Sequence, residues 1–212
     1  MSNEQKFLDE LVERFPILLR EKDNIQKAYD IMADSYANGG KLLTAGNGGS
    51  AADSEHIVGE LMKGFIKPRK LDDELKSKLC SIDSVIGAEL ADSLQGALPS
   101  IALTGHVALS TAFLNDVEPT MGFAQQVNGY GDAGDVLLAI TTSGNSKNIL
   151  YAAVAAKAKG LKVIGLTGRD GGKIKDYSDA CIIVPEMETF KIQELHLPVY
   201  HCLCLMLEER FF

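Results

Sequence analysis

Leu42-Leu43-Thr44-Ala45-Gly46-Asn47-Gly48-Gly49-Ser50 packs an apolar run, a glycine loop and a helix start into nine residues. The helical pattern then runs from Ser50 to about Lys63. The order repeats downstream. Val136 to Thr141 reads as a strand, Thr142 to Asn145 as a loop, and Ser146 to Lys159 as an alanine-rich helix. Ser100 to Thr104, Lys162 to Leu166 and Ala180 to Val184 are further short apolar strands. Short apolar strands alternating with helices predict a parallel α/β sheet covered on both faces. Ligands bind such sheets beyond the carboxyl ends of the strands.

Residues 1–40 read as an N-terminal helical pair. Phe7, Leu8, Leu11 and Phe15 recur at helical spacing, as do Ile25, Ala28, Tyr29, Met32 and Tyr36. Ser2 or Asn3 is the expected cap of the first helix, Pro16 marks the break, and Gly39-Gly40 ends the second. Leu71, Leu75 and Leu79 give helical spacing in a charged segment, and Val107 to Leu114 and Met121 to Val127 also read as helices. A helix from Thr189 to about Arg210 closes the chain. With no linker, repeat or low-complexity tract, residues 1–212 are expected to form one domain.

The chain carries 21 Lys and Arg against 29 Asp and Glu, a net charge of −8. That balance argues against a nucleic-acid partner and against an anionic membrane surface. The uncharged stretch Ser93 to Asn115 is interrupted by Gly96, Pro99, Gly105 and His106 and reads as strand, turn and helix, not a span. Met1 to Arg20 has charges throughout and no signal-type apolar run. The four cysteines form no C-x-x-C pair, so reduced thiols in a cytoplasmic protein are expected. An acidic chain can still hold one phosphate, through loop amides and hydroxyls.

Two loops suit that task. Gly46-Asn47-Gly48-Gly49-Ser50 lets the backbone approach a ligand where a helix N-terminus offers free N–H groups. Gly46, Gly48 and Ala51 fit the dinucleotide fingerprint G-x-G-x-x-A, but no strand-end acid follows at the required distance, and no Gly-Lys-Ser/Thr makes it a nucleotide P-loop. The second loop places Thr141, Thr142, Ser143 and Ser146 at a helix start. Four hydroxyls exceed what one N-cap requires. On the helix after the first loop, His56 and Glu60 share a face, as metal ligands or as an acid–base pair.

Taken in order, Gly46 to Ser50, Asn115-Asp116, Thr142 to Ser146, Leu166-Thr167-Gly168-Arg169-Asp170-Gly171-Gly172 and Ile192-Gln193-Glu194-Leu195-His196 resemble the SIS (sugar isomerase) domain family. Within it, the chain is similar to the phosphoheptose isomerases. The resemblance implies a three-layer, flavodoxin-like parallel sheet and a homotetramer with interfacial active sites. It implies an aldose–ketose isomerase of lipopolysaccharide heptose biosynthesis, converting sedoheptulose 7-phosphate to D-glycero-D-manno-heptose 7-phosphate through an enediol. By the same resemblance His56, Glu60, Gln193 and His201 are zinc ligands, and Glu60 and His201 the catalytic base and acid. Asn47, Gly48, Gly49, Ser50, Asn115, Asp116, Thr141, Thr142, Ser143, Ser146 and Gln193 become substrate contacts.

Gln193 and His201 are eight residues apart, about 12 Å along a helix, so one metal takes both only with stretched side chains or from different subunits. Pro198 between them removes a helical hydrogen bond, and His196 is a nearby alternative ligand. Residues 67–98 extend the chain beyond typical members, to cover the site, to build an interface or as a solvated surface excursion. Lys63, Lys67 and Arg69 stand near where the family has an arginine after the position of Glu60. The runner-up function is a non-catalytic SIS protein, sensing a sugar phosphate or binding a replication initiator. The initiator-binding group lacks the catalytic Glu and His, and this chain has both.

Overall fold

The structure is a computed structural model and describes residues 3–212. Helix α1 (Gln5–Arg14) is followed by a 3₁₀ segment, Pro16–Glu21, and α2 (Lys22–Ala37). Pro16 thus opens a third short element, because its fixed φ suits a first helical position. Ser2 lies outside the described residues. Asn3 is not the cap, since Glu4 occupies that position and makes no capping side-chain bond.

Strand β1 (Leu42–Ala45) leads into α3 (Gly49–Met62), then α4 (Asp73–Ile82), α5 (Ile86–Ser93) and β2 (Ser100–Ala102). After these come α6 (Val107–Asp116), α7 (Gly122–Tyr130), β3 (Val136–Thr141), α8 (Lys147–Ala158), β4 (Lys162–Thr167), β5 (Ala180–Ile183) and α9 (Thr189–Phe211). The sheet order is β2-β1-β3-β4-β5, with every pair parallel. This is the flavodoxin-like order, and its reversal point lies between β1 and β3.

Strand alternation sorts the core into two halves. Leu42, Val136, Leu138, Ile140, Ile164 and Leu166 pack with α1, α2 and α9. Leu43, Ala45, Leu137, Ala139 and Val163 face the other way, against Val127 of α7 and Ile149, Ala152, Ala153 and Ala156 of α8. Both faces are buried, which is why the strands read as unbroken apolar runs. Helix α9 continues through Pro198.

The segment after α3 is strapped to α9 by one buried ion pair. Arg69 Nε donates to Glu208 Oε1 at 2.8 Å, and its Nη1 and Nη2 donate to the carbonyls of Leu61 and Glu60. Glu208 also accepts from the amides of Phe65, Ile66 and Lys67. Both residues are at most 1% exposed. Burial opposes ionisation of Glu208, but the Ile66 and Phe65 amides and the Arg69 guanidinium outweigh it and hold the carboxyl below its ordinary 4.5.

Beyond this strap, α4 and α5 form a hairpin whose helices pack on each other. Helix α4 buries no residue, and Ile82, Val85 and Ile86 at the hairpin tip are exposed. An isolated bridge between Lys70 and Gln95 brings its two ends together.

Arg69→Ala leaves a buried carboxylate without its partner and should cost about 3–5 kcal/mol in urea unfolding. Since the folded carboxyl of Glu208 titrates below 4.5, its contribution is complete above that pH and lost as pH falls beneath it. Replacing residues 73–93 with a short glycine linker should leave the melting temperature within a few degrees of the full chain. A collapse of the fold would show that the hairpin belongs to the core.

Candidate active site

Two places along the paired helices α3 and α9 hold the polar residues singled out above. The first is a cleft at the reversal point of the sheet, between the loop after β1 and the loop after β3. Asn47, Gly48, Gly49, Ser50, Thr141, Thr142, Ser146 and Gln193 all line it, together with Ile140 and Thr189. Its empty space is about 490 Å³. Gly48 sits at φ +56°, ψ −120°, a conformation that side chains rarely adopt. A Cβ on Gly49 would lie 2.5 Å from Gln193 Nε2, so the Gln193 amide rests directly over this glycine.

Ser146 occupies the N-cap position of α8 without making a capping side-chain bond. Its hydroxyl instead pairs with Thr141 Oγ1 at 3.0 Å, at the cleft wall. The first amides of α3 and α8 have no intrahelical acceptor and add partial positive charge. Among the described residues, no Lys, Arg or His lines this cleft. Asn47 and Asn148 exchange two amide hydrogen bonds, of 2.9 and 2.8 Å, and tie the two loops together. Neither Asn148 nor Thr189 was legible beforehand, because one polar residue in a first helical turn has no pattern without its partner.

Ser143 faces its own loop, where its hydroxyl accepts from the Asn145 amide. Asn115 and Asp116 lie at the end of α6, exposed and hydrogen-bonded to each other, and do not line the cleft of this chain.

The second place is two helical turns further along. His56 Nε2 is 3.2 Å from Glu60 Oε1, and Lys63 Nζ reaches Glu60 Oε2 at 3.1 Å. The His201 ring stands edge-on to His56 at 5.0 Å and lies 5.4 Å from Phe65. Burial and the His56 imidazole hold His201 below the ordinary histidine range, against the pull of Glu60. His56 Nδ1 is 3.0 Å from the Tyr200 hydroxyl, which donates to Asp53 Oδ1 at 3.3 Å. His196 is fully buried, bonded through Nε2 to the Thr167 carbonyl, and burial pushes it down to about 4. It is a packing histidine of the core, not an alternative ligand.

His56, Glu60 and His201 thus meet within one chain, whereas Gln193 packs against Gly49 at the other end of the helix pair. The donor types suit zinc. Tetrahedral ligands at roughly 2.0–2.1 Å from the ion stand about 3.3 Å apart, close to the His56–Glu60 spacing. His201 Nε2 is buried with no hydrogen-bond partner. Among the described residues, though, no three His, Cys, Asp or Glu side chains stand ready to hold a metal together.

The fold is thus a parallel α/β sheet with a cleft of glycine amides and hydroxyls at its reversal point and a histidine–carboxylate cluster beside it. The SIS domain family profile matches residues 6–79 and 86–168, and the chain belongs to that family. The phosphoheptose isomerase of Nitratiruptor sp. is 40% identical over 188 residues, 89% of this chain and 87% of the relative. That of Geobacter sulfurreducens is 38% identical over 183 residues, 86% of this chain and 83% of the relative. The solved phosphoheptose isomerase from Neisseria gonorrhoeae superposes with a TM-score of 0.72 at 32% identity, over 97% of this chain and 92% of that one. The Francisella tularensis enzyme gives 0.72 at 33%, over 94% and 97%. No helix of the described residues is long and apolar enough to cross a membrane.

The cleft predicts its own test. Ser146→Ala and Thr141→Val should each weaken sugar-phosphate binding about tenfold by calorimetry, the loss of one or two hydrogen bonds to a charged group. Unchanged affinity in both would move the phosphate elsewhere.

Proposed function

We propose that this protein is a phosphoheptose isomerase, interconverting sedoheptulose 7-phosphate and D-glycero-D-manno-heptose 7-phosphate. One observation carries the reading. The anion cleft and the Glu60–His201 cluster lie at two points of one helix pair, about 10 Å apart along the seven residues from Gly49 to His56. In a heptose 7-phosphate the phosphate and the reacting carbons stand at opposite ends of the sugar. The gonococcal and Francisella enzymes, named for this activity, support it.

The chemistry moves two protons. Glu60 takes a proton from C1 of the ketose while His201 delivers one to the C2 carbonyl oxygen, giving the enediol. Glu60 then returns its proton to C2, His201 takes the proton of the C1 hydroxyl, and the C1 aldehyde forms. His201, held neutral, can donate N–H without becoming an anion trap for the phosphate. Zinc, held by His56, Glu60 and His201, would supply Lewis acidity toward the developing oxyanion. Gln193, at the cleft, is the proposed contact to the sugar and reaches a metal only from another arrangement or another chain. That separation supports the proposed homotetramer with interfacial sites, in which Asn115 and Asp116 serve a neighbouring cleft. A cytoplasmic location completes the proposal, in keeping with four free cysteines.

The decisive assay follows conversion of sedoheptulose 7-phosphate and uptake of solvent deuterium, with metal analysis of the protein. Zinc should copurify, and a chelator should lower the rate. Glu60→Gln and His201→Gln, folded and of native assembly, should each lower kcat at least a hundredfold. Full activity in both variants would overturn the assignment. Tight sugar-phosphate binding without turnover in the wild type would favour a sensor.

A further inference from the structure

Tyr200 is a buried residue with a task that packing does not explain. Its ring is 1% exposed and stands edge-on to His56 at 5.5 Å and to His201 at 5.0 Å. Its hydroxyl lies between His56 Nδ1, at 3.0 Å, and Asp53 Oδ1, at 3.3 Å. All three residues belong to the facing surfaces of α3 and α9. Asp53 is an odd member of such a surface. Its Oδ2 is buried with no partner, so the chain keeps a half-satisfied carboxylate inside. Such groups are costly and rare, and each asks for a reason.

Proton counting supplies one. A carboxylate at Asp53 can only accept. The Tyr200 hydroxyl has one proton and gives it to Asp53. Its oxygen can then only accept from the imidazole, so His56 carries its proton on Nδ1. Nε2, 3.2 Å from Glu60 Oε1, is the nitrogen left to face the carboxylate; it gives its lone pair to a cation held between the two or, with none there, carries a second proton that it donates to Glu60. Without the hydroxyl, the cheapest alternative puts the proton on Nε2, where the Glu60 carboxylate would accept it. The lone pair would then point at Asp53, away from the reaction centre.

We propose that Tyr200 is a positioning residue that, backed by Asp53, keeps a proton on Nδ1 of His56 and so leaves Nε2 to serve the Glu60 side of the site. The relay rests on the isomerase reading for its use, but not for its existence. An imidazole held this way can bind a metal or accept a proton through Nε2, and partners behind a ligating histidine are worth 10–100-fold in metal affinity or activity.

Tyr200→Phe keeps the ring and removes only the hydroxyl. Nitrogen-15 NMR of labelled, metal-free protein at pH about 8, above the ordinary imidazole range, reads the tautomer directly. The wild type should show His56 protonated on Nδ1, and Tyr200→Phe should shift it toward Nε2–H. Asp53→Asn, whose amide can donate to the tyrosine oxygen, should loosen the same preference, and the double variant should add little to either. Zinc affinity, measured by competition with a chelator, should fall about tenfold in Tyr200→Phe, and kcat should fall by a similar factor with KM little changed. Circular dichroism and the melting curve establish that each variant is folded. An unchanged His56 tautomer in folded Tyr200→Phe would overturn the relay whatever the enzyme's activity. A shifted tautomer in a protein that turns over no heptose phosphate would leave the relay standing and remove the isomerase reading instead.

Discussion

The site depends on the register between α3 and α9, and that register is held at one end by the buried pair of Arg69 and Glu208. Glu208 sits two turns beyond His201 on α9. Arg69 binds it and also takes the carbonyls of Glu60 and Leu61, the last turn of α3. The ends of the two helices are therefore tied to each other through one guanidinium. Gly49 lies against Gln193 and His56 against Tyr200, the latter pair 144 positions apart in the chain. A shift of one residue would rotate Glu60 away from His201. Buried ion pairs are poor sources of net stability but costly to break, and are suited to holding one arrangement against its neighbours. Here the arrangement is the proposed reaction centre.

Charge is used differently at the two ends of this helix pair. At the cleft, recognition is neutral: glycine-loop amides, two helix starts and the hydroxyls of Thr141 and Ser146. In a chain of net charge −8, these groups are the proposed local anion site, with no need of an extended positive surface. At the other end, imidazoles and a carboxylate are crowded beside Phe65 and Tyr200. Burial there holds His201 neutral and raises the carboxyl of Asp53 against its hydrogen bond to Tyr200. The first environment suits the proposed grip on an anion; the second suits the proposed movement of protons.

Much of this was legible in the residues. The strands are buried on both faces, so their apolar runs marked them, and the glycine and hydroxyl loops marked the ligand edge. The helix Gly49–Met62 brings His56 and Glu60 onto one face through local geometry alone. Pro198 was a misleading signal, since a proline removes one bond that the packing of a long buried helix can spare. The segment 67–98 showed helical spacing but not its fate. Its helices pack on each other, and nothing in a charged sequence says whether it folds over a site or away from it.

The sequence by itself determined the alternation of strand and helix, the two loops and the chemical character of the candidate residues, because each follows from local periodicity or residue type. Tertiary structure alone decided which of them meet. His201 joins His56 and Glu60, Gln193 goes to the cleft, His196 disappears into the core, and Asn148, Tyr200 and Asp53 enter as partners with no motif of their own. Contacts between α3 and α9 join residues far apart in the chain, and their register is set by side-chain packing and one buried ion pair, neither of which leaves a local pattern.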